Sequence, residues 1–201
     1  ALDALLSADE RALRQRIRDF TDQRIKPNIA RWYDDAVFPL ELAPELGELG
    51  VLGMHLEGYG CPGRSAVEYG LAAMELEAGD SGIRTFVSVQ GSLAMTAIHK
   101  WGSEDQKQEW LPQLCSGKNL GAFGLTEPEA GSDAGNVTTP AANDNGDWVI
   151  NGAKHFITNA GTEISGIVAI TTVTAPDDNG QKDIANLLLD NGTPRADPKT
   201  P

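Results

Sequence analysis

The chain has 201 residues, 40% hydrophobic and 22% charged, with a formal net charge of -13. That length suits one large domain or two small ones. The acidity argues against non-specific nucleic-acid binding and against docking on anionic membrane, and it favours solubility; an anionic ligand would need a local set of backbone N–H groups or a few placed Arg or Lys residues.

The first half reads as helices. Ser7 followed by Glu10 predicts a capping box, and Leu6, Leu13, Ile17 and Phe20 mark one helical face. Pro27 should kink or end that helix. A shorter helix is expected over 40–49. The stretch GYGCPG, 58–63, matches GxGxxG, and Asp80 falls about where an acidic ribose ligand would sit. A dinucleotide site is nevertheless rejected. Gly53 and Glu57 make the preceding segment a poor buried strand, Pro62 sits inside the would-be phosphate turn, and no second βαβ unit follows. A Gly-rich turn is the better reading. Ser65 and Glu68 form a second capping box, with Tyr69, Ala72, Ala73 and Leu76 as the buried stripe and Gly79 as the stop. EAGDSGIRT, 77–85, reads as a polar loop. Phe86 to Trp101 is apolar nearly all round, as a central buried helix would be, and Gly102 ends it. Ser103 and Gln106 cap a further helix carrying Trp110, Leu111 and Leu114.

After Gly117 the texture changes to short β-prone runs: LGAFGLTE, DWVING, KHFIT, SGIVAITTVTA and DIANLLLD. Asn145-Gly146, Asn151-Gly152 and Asn179-Gly180 are turn pairs between them. Helices followed by strands predict an α+β chain with a helical domain over 1–117 and a β-sheet or barrel domain over 118–201. The tail NGTPRADPKTP is expected to fray.

Cys61 and Cys115 lie far apart in sequence without metal spacing, which reads as two free thiols in a reducing compartment. His55, His99 and His155 form no ligand pattern, so no metal is expected. No apolar run approaches membrane-spanning length, and no signal peptide precedes the first helix. The expected location is the cytoplasm, or the mitochondrial matrix in a eukaryote.

Two stretches carry chemistry. In GLTEPEAGSD, 124–133, Thr126 offers a hydroxyl at a strand end, Pro128 stiffens the exit, Gly131 permits close backbone approach and Ser132 adds a small donor. In KHFITNAG, 154–161, Phe156 is a flat apolar surface and Thr158 another hydroxyl. Together they suit a planar heteroaromatic ligand with edge acceptors; polar strand ends are the alternative. Arg84 presents a fork that suits a carboxylate or phosphate, although spacing alone favours a solvated Arg beside Asp80.

LGAFGLTEPEAGSD, WVINGAKHFITNAG and GSEDQKQEWLPQL resemble the acyl-CoA dehydrogenase family, in order and with family spacing from about Ala12 to Pro194. The resemblance implies FAD. Phe123, Leu125 and Thr126 would line the isoalloxazine, with Thr126 on its pyrimidine edge. Gly131 and Ser132 would lie where FAD meets the CoA ester. Phe156, where many members carry Trp, Ile157 and Thr158 would cover the other flank, with Thr158 on flavin N5. The segment from Tyr59 to Met95 is similar to the glutaryl-CoA dehydrogenase branch. There Arg84 would bind the distal carboxylate of the substrate, helped by Thr85 and Glu77.

Family subunits run to nearly twice this length. A C-terminal helical domain there supplies the Glu base, completes the FAD site and forms the tetramer core. No acid of this chain is promoted to replace that base. The expectation is part of an acyl-CoA dehydrogenase, inactive alone, that as a full-length homotetramer desaturates an acyl-CoA and passes electrons to an electron-transfer flavoprotein. A flavin monooxygenase on the same fold and a non-catalytic binding fragment are the rival readings.

Overall fold

The structure is a computed structural model that describes residues 2–174 and 182–193. The chain divides into two compact units, Ala1–Asn119 and Leu120–Pro201.

Helix α1, Ala8–Phe20, begins on the expected reciprocal cap, with the Ser7 N–H donating to the Glu10 carboxylate at 2.7 Å. Leu13 and Ile17 are buried, while Phe20 is half-buried. The helix widens into a π turn at Thr21–Ile25 and breaks around Pro27, which has no N–H to continue the ladder. The chain resumes as α2, Ile29–Asp34. Helix α3, Leu42–Leu49, ends on Gly50, whose φ of 78° makes a left-handed cap.

GYGCPG folds as a hairpin. Strands β1, Glu57–Gly58, and β2, Cys61–Pro62, pair antiparallel across Tyr59 and Gly60. Both loop residues have positive φ, 54° and 87°, the geometry of a primed two-residue turn.

Helix α4, Ala66–Glu77, starts on the Ser65–Glu68 box. Its buried face holds Leu71, Ala72, Glu75 and Leu76, slightly rotated from the expected stripe. The Glu75 carboxylate is therefore inside, where it accepts from Arg14 Nε at 2.6 Å and from Arg18 Nε and Nη2 at 2.9 and 2.8 Å. Burial pushes its pKa up, but the hydrogen bonds from Arg18 and Arg14 outweigh that and hold it below the ordinary value. Gly79 serves packing more than stopping. A Cβ there would lie 2.5 Å from Thr21 Cγ2, so only glycine lets this chain end approach the π turn.

The segment 77–85, expected to be a loop, is largely helical. Asp80 caps α5, Ser81–Ser88, by accepting from the Ile83 N–H at 2.8 Å. The run continues through a π segment, Val89–Met95, into α6, Thr96–Trp101. It thus starts five residues before the expected Phe86. Ile83, Phe86, Val87, Ala94, Met95 and Ile98 are buried, whereas Trp101 is 78% exposed. Helix α7, Glu104–Cys115, carries the Ser103–Gln106 box and buries Leu111 and Leu114 completely. At its end the fold brings the two distant cysteines together. The Cys115 thiol reaches the Gly60 carbonyl at 3.2 Å. A hydrogen bond to Cys115, then burial, pushes the Cys61 pKa up.

In the second unit, β3, Leu120–Gly124, runs parallel to a later strand spanning Ser165–Thr174, which pairs antiparallel with Asp183–Asp190. Between them in sequence, β4, Ala141–Asp144, and β5, Asp147–Ile150, form a hairpin over Asn145-Gly146, both at positive φ. The long strand and its partner are then β6 and β7, and the sheet order is β3-β6-β7. A bridge between Pro140 and Val173 links the segment entering the hairpin to β6.

Of the sheet or barrel expected for this half, a sheet is what forms: the described strands make two- and three-stranded sheets, with no closed barrel among the described residues. Two expectations need correction. KHFIT is not a strand: Phe156 takes φ 58°, which breaks any extended run. Asn151-Gly152 is not a hairpin turn either. Gly152 is needed because a Cβ would lie 2.6 Å from Thr139 Oγ1. Asn179-Gly180 and the end of the tail lie outside the described residues.

Candidate functional site

The second unit gathers most of the singled-out residues around the exit of β3. Gly124 lies against the Lys154 stem: a Cβ there would be in ordinary contact, 3.5 Å from Lys154 Cγ. Phe123, Leu125 and Thr126 are half-buried. Immediately after them, Glu127 and Ala130 exchange both backbone hydrogen bonds, at 3.0 and 3.2 Å. That closes a tight turn with Pro128 at its first inner position, where a fixed φ near -65° is favourable. Gly131, Ser132 and Asp133 follow on the surface, and a Cβ on Gly131 would meet nothing within 4 Å.

Glu127 turns inward. Its carboxylate accepts from the Thr138 N–H (2.7 Å), the Thr138 hydroxyl (2.8 Å), the Thr139 N–H (2.9 Å) and Lys154 Nζ (2.7 Å). Burial alone would raise its pKa; the Lys154 ammonium and the Thr138 and Thr139 donors drive it far below the carboxylate range instead. Lys154 and Glu127 side chains are 8% and 3% exposed, so this is an interior ion pair.

The segment after β5 is strapped at one end to the two residues that follow β3 and at the other to β3 itself. Lys154 Nζ donates to the Leu125 carbonyl at 3.1 Å and the His155 N–H to the Thr126 carbonyl at 2.9 Å. Further along, Asn159 Nδ2 donates to the Gly121 carbonyl at 3.2 Å. Between these straps stand Phe156, Ile157 and Thr158. The Phe156 ring is 94% exposed although its backbone holds φ 58°. A bulky residue at positive φ is strained, and strain of this kind makes the position a candidate for function. The His155 strap brings this segment beside Thr126. Sequence reasoning missed Lys154 and Asn159 as the clamps; a Lys opening the β-prone run KHFIT was the available signal.

Within the first unit, Arg84 is half-buried and its side chain pairs with residues other than Asp80. Its Nε donates to Glu77 at 2.6 Å and its Nη1 to Ser88 Oγ at 3.3 Å. Glu77, expected as a helper on a substrate carboxylate, is here the partner of Arg84 itself. Ser88, four residues on and so on the same helical face, was overlooked. Thr85 is half-buried alongside.

The family model for the acyl-CoA dehydrogenase N-terminal domain matches residues 7–118, and that for the middle domain matches 122–200. An acyl-CoA dehydrogenase of Bacillus subtilis is 37% identical over 183 residues, 90% of this chain and 48% of that relative. The crystal structure of a glutaryl-CoA dehydrogenase from Mycobacterium smegmatis in complex with FADH2 is 51% identical with a TM-score of 0.89, over 96% of this chain and 48% of that one. Butyryl-CoA dehydrogenase from Megasphaera elsdenii is 34% identical with a TM-score of 0.83, over 94% and 50%. The chain spans about half the length of the proteins it matches.

Proposed function

Since the chain belongs to the acyl-CoA dehydrogenase family, we propose that it supplies one wall of a flavin site and part of an acyl-CoA site in an α,β-desaturating dehydrogenase. The observation that carries this reading is Phe156: an exposed ring on strained backbone, strapped beside Thr126 by the His155 N–H. A flat apolar face flanked by hydroxyl donors fits a flavin ring, whose faces are apolar and whose edge carries acceptors. Phe123, Leu125, Phe156 and Ile157 would line the ring, Thr126 and Thr158 would donate to its edge, and Gly131 with Ser132 would border both cofactor and thioester. FAD, when bound, supplies the two-electron acceptor for desaturation. Ser132 and Arg84, with Thr85 nearby, would contact the acyl-CoA; no residue of this chain is assigned as the base. The 51% identity to a glutaryl-CoA dehydrogenase favours a dicarboxylyl-CoA, with Arg84 on the distal carboxylate. An electron-transfer flavoprotein as acceptor and a homo-oligomeric assembly complete the proposal.

The test is replacement of each threonine. In the protein that carries this chain, Thr126→Val and Thr158→Val should each weaken FAD binding by about 1–3 kcal/mol, because an acceptor on the cofactor loses its donor. Fluorescence titration measures the affinity and absorbance reports the flavin's surroundings. Unchanged affinity and spectrum in both variants would remove the site.

A further inference from the structure

We infer that Lys154 is a positioning residue that sets the direction of the Thr126 hydroxyl towards the flavin; this rests on the flavin site proposed above. The geometry is specific to Thr126. The peptide before it has its carbonyl, on Leu125, held by Lys154 Nζ at 3.1 Å. The peptide after it has its carbonyl, on Thr126, held by the His155 N–H at 2.9 Å. Both peptide planes flanking the Thr126 Cα are therefore pinned by consecutive residues of one segment. With φ and ψ fixed, the Cα–Cβ direction is fixed, and only the staggered χ1 wells remain for the hydroxyl.

The same ammonium also bonds Glu127 Oε1 at 2.7 Å, so it grips the chain on both sides of Thr126. Glu127 in turn is tied to Thr138 and Thr139. Stability alone does not account for this arrangement. A buried ion pair must overcome the desolvation of two charges, and apolar residues of similar volume often serve a core as well. A methionine could take the place of the Lys154 stem beside Gly124 but would offer no donor to Leu125. What lysine adds is several N–H donors on one compact group, two of them spent across three successive residues.

Lys154→Met alone strands the Glu127 carboxylate, so the paired variant Glu127→Gln/Lys154→Met is made beside it, and both are combined with Thr126→Val. Three quantities are read in the protein that carries the chain: FAD dissociation constant, absorbance spectrum of the bound flavin, and melting temperature without FAD. The paired variant leaves no unmatched buried charge and is expected to fold. Its FAD dissociation constant should rise about tenfold, the scale of one lost hydrogen bond. Its flavin spectrum should shift, and most of both effects should vanish when residue 126 is already valine. A loss that simply adds to that of Thr126→Val, or an unchanged affinity and spectrum while Thr126→Val alters both, would overturn the inference and leave the flavin site standing. If Thr126→Val itself changes neither, the site proposal fails and the inference falls with it. Should Lys154→Met not fold, the paired variant decides.

Discussion

Replacing Glu127 by alanine is expected to destabilise the second unit by about 3–5 kcal/mol, the cost of breaking an interior ion pair from one side. The variant leaves Lys154, 8% exposed, with no carboxylate, and the Thr138 and Thr139 N–H groups without their acceptors. A comparable change at Glu75 should cost less. Its partner Arg18 is 40% exposed and can rehydrate its guanidinium in place, although Arg14, at 17%, is more confined. The pH dependence has a definite sign. The folded-state pKa of Glu127 lies below its ordinary value of 4.5, so the stabilisation is fully present above that value. It is lost as pH falls through the carboxylate range towards the lower folded pKa. Parent protein should therefore melt progressively lower below pH 4.5, and Glu127→Ala should lose part of that slope. Thermal unfolding of both proteins from neutral to acid pH measures it. Equal melting temperatures at neutral pH would show that solvent already reaches Lys154.

The contrast between Glu75 and Glu127 also shows where sequence reading stops. Three helix starts were legible because a capping box is a local device: Ser7, Ser65 and Ser103 each find their partner three residues on. The Asp80 start was hidden by its surroundings, since Gly79, Asp80, Ser81 and Gly82 together look like a loop. Glu75 looks like any solvated helix acid until two arginines about 60 positions earlier turn out to face it. KHFIT misled for a related reason. Its residues favour a strand, but long-range bonds from Lys154 and Asn159 hold the segment in another shape, and Phe156 accepts a positive φ. Tertiary contacts overrode local preference there. The residue types proposed for the candidate site can nonetheless be read from the sequence, because hydroxyls, an aromatic ring and a glycine are properties of single residues. Their anchoring cannot, because it depends on carbonyls, which every residue carries.

Arg84→Gln is expected to lower kcat/KM for glutaryl-CoA by ~1.5–3 kcal/mol, about 10- to 150-fold, and to leave butyryl-CoA nearly unchanged. The reasoning starts from the guanidinium's donors. Arg84 spends Nε on Glu77 and one Nη1 hydrogen on Ser88, which fixes the plane of the fork and leaves further N–H groups for a ligand. A carboxylate at the far end of a dicarboxylyl chain can take such donors in pairs; the methyl end of butyryl-CoA takes none. Glutamine keeps a donor but loses the charge and the fork, so the loss should fall on the charged substrate alone. Glu77 sharpens the test. At 48% side-chain exposure it is a partly hydrated anion whose attraction for Arg84 would compete with that of a substrate carboxylate placed as proposed. Glu77→Gln should therefore keep an acceptor for Nε while making the fork more available, and glutaryl-CoA should bind no worse. Steady-state kinetics with both thioesters, on the protein that carries this chain, gives the comparison. If Arg84→Gln slows both substrates equally, the side chain is holding α5 and the end of α4 in place through Glu77 and Ser88, and selection for a second carboxylate must come from elsewhere.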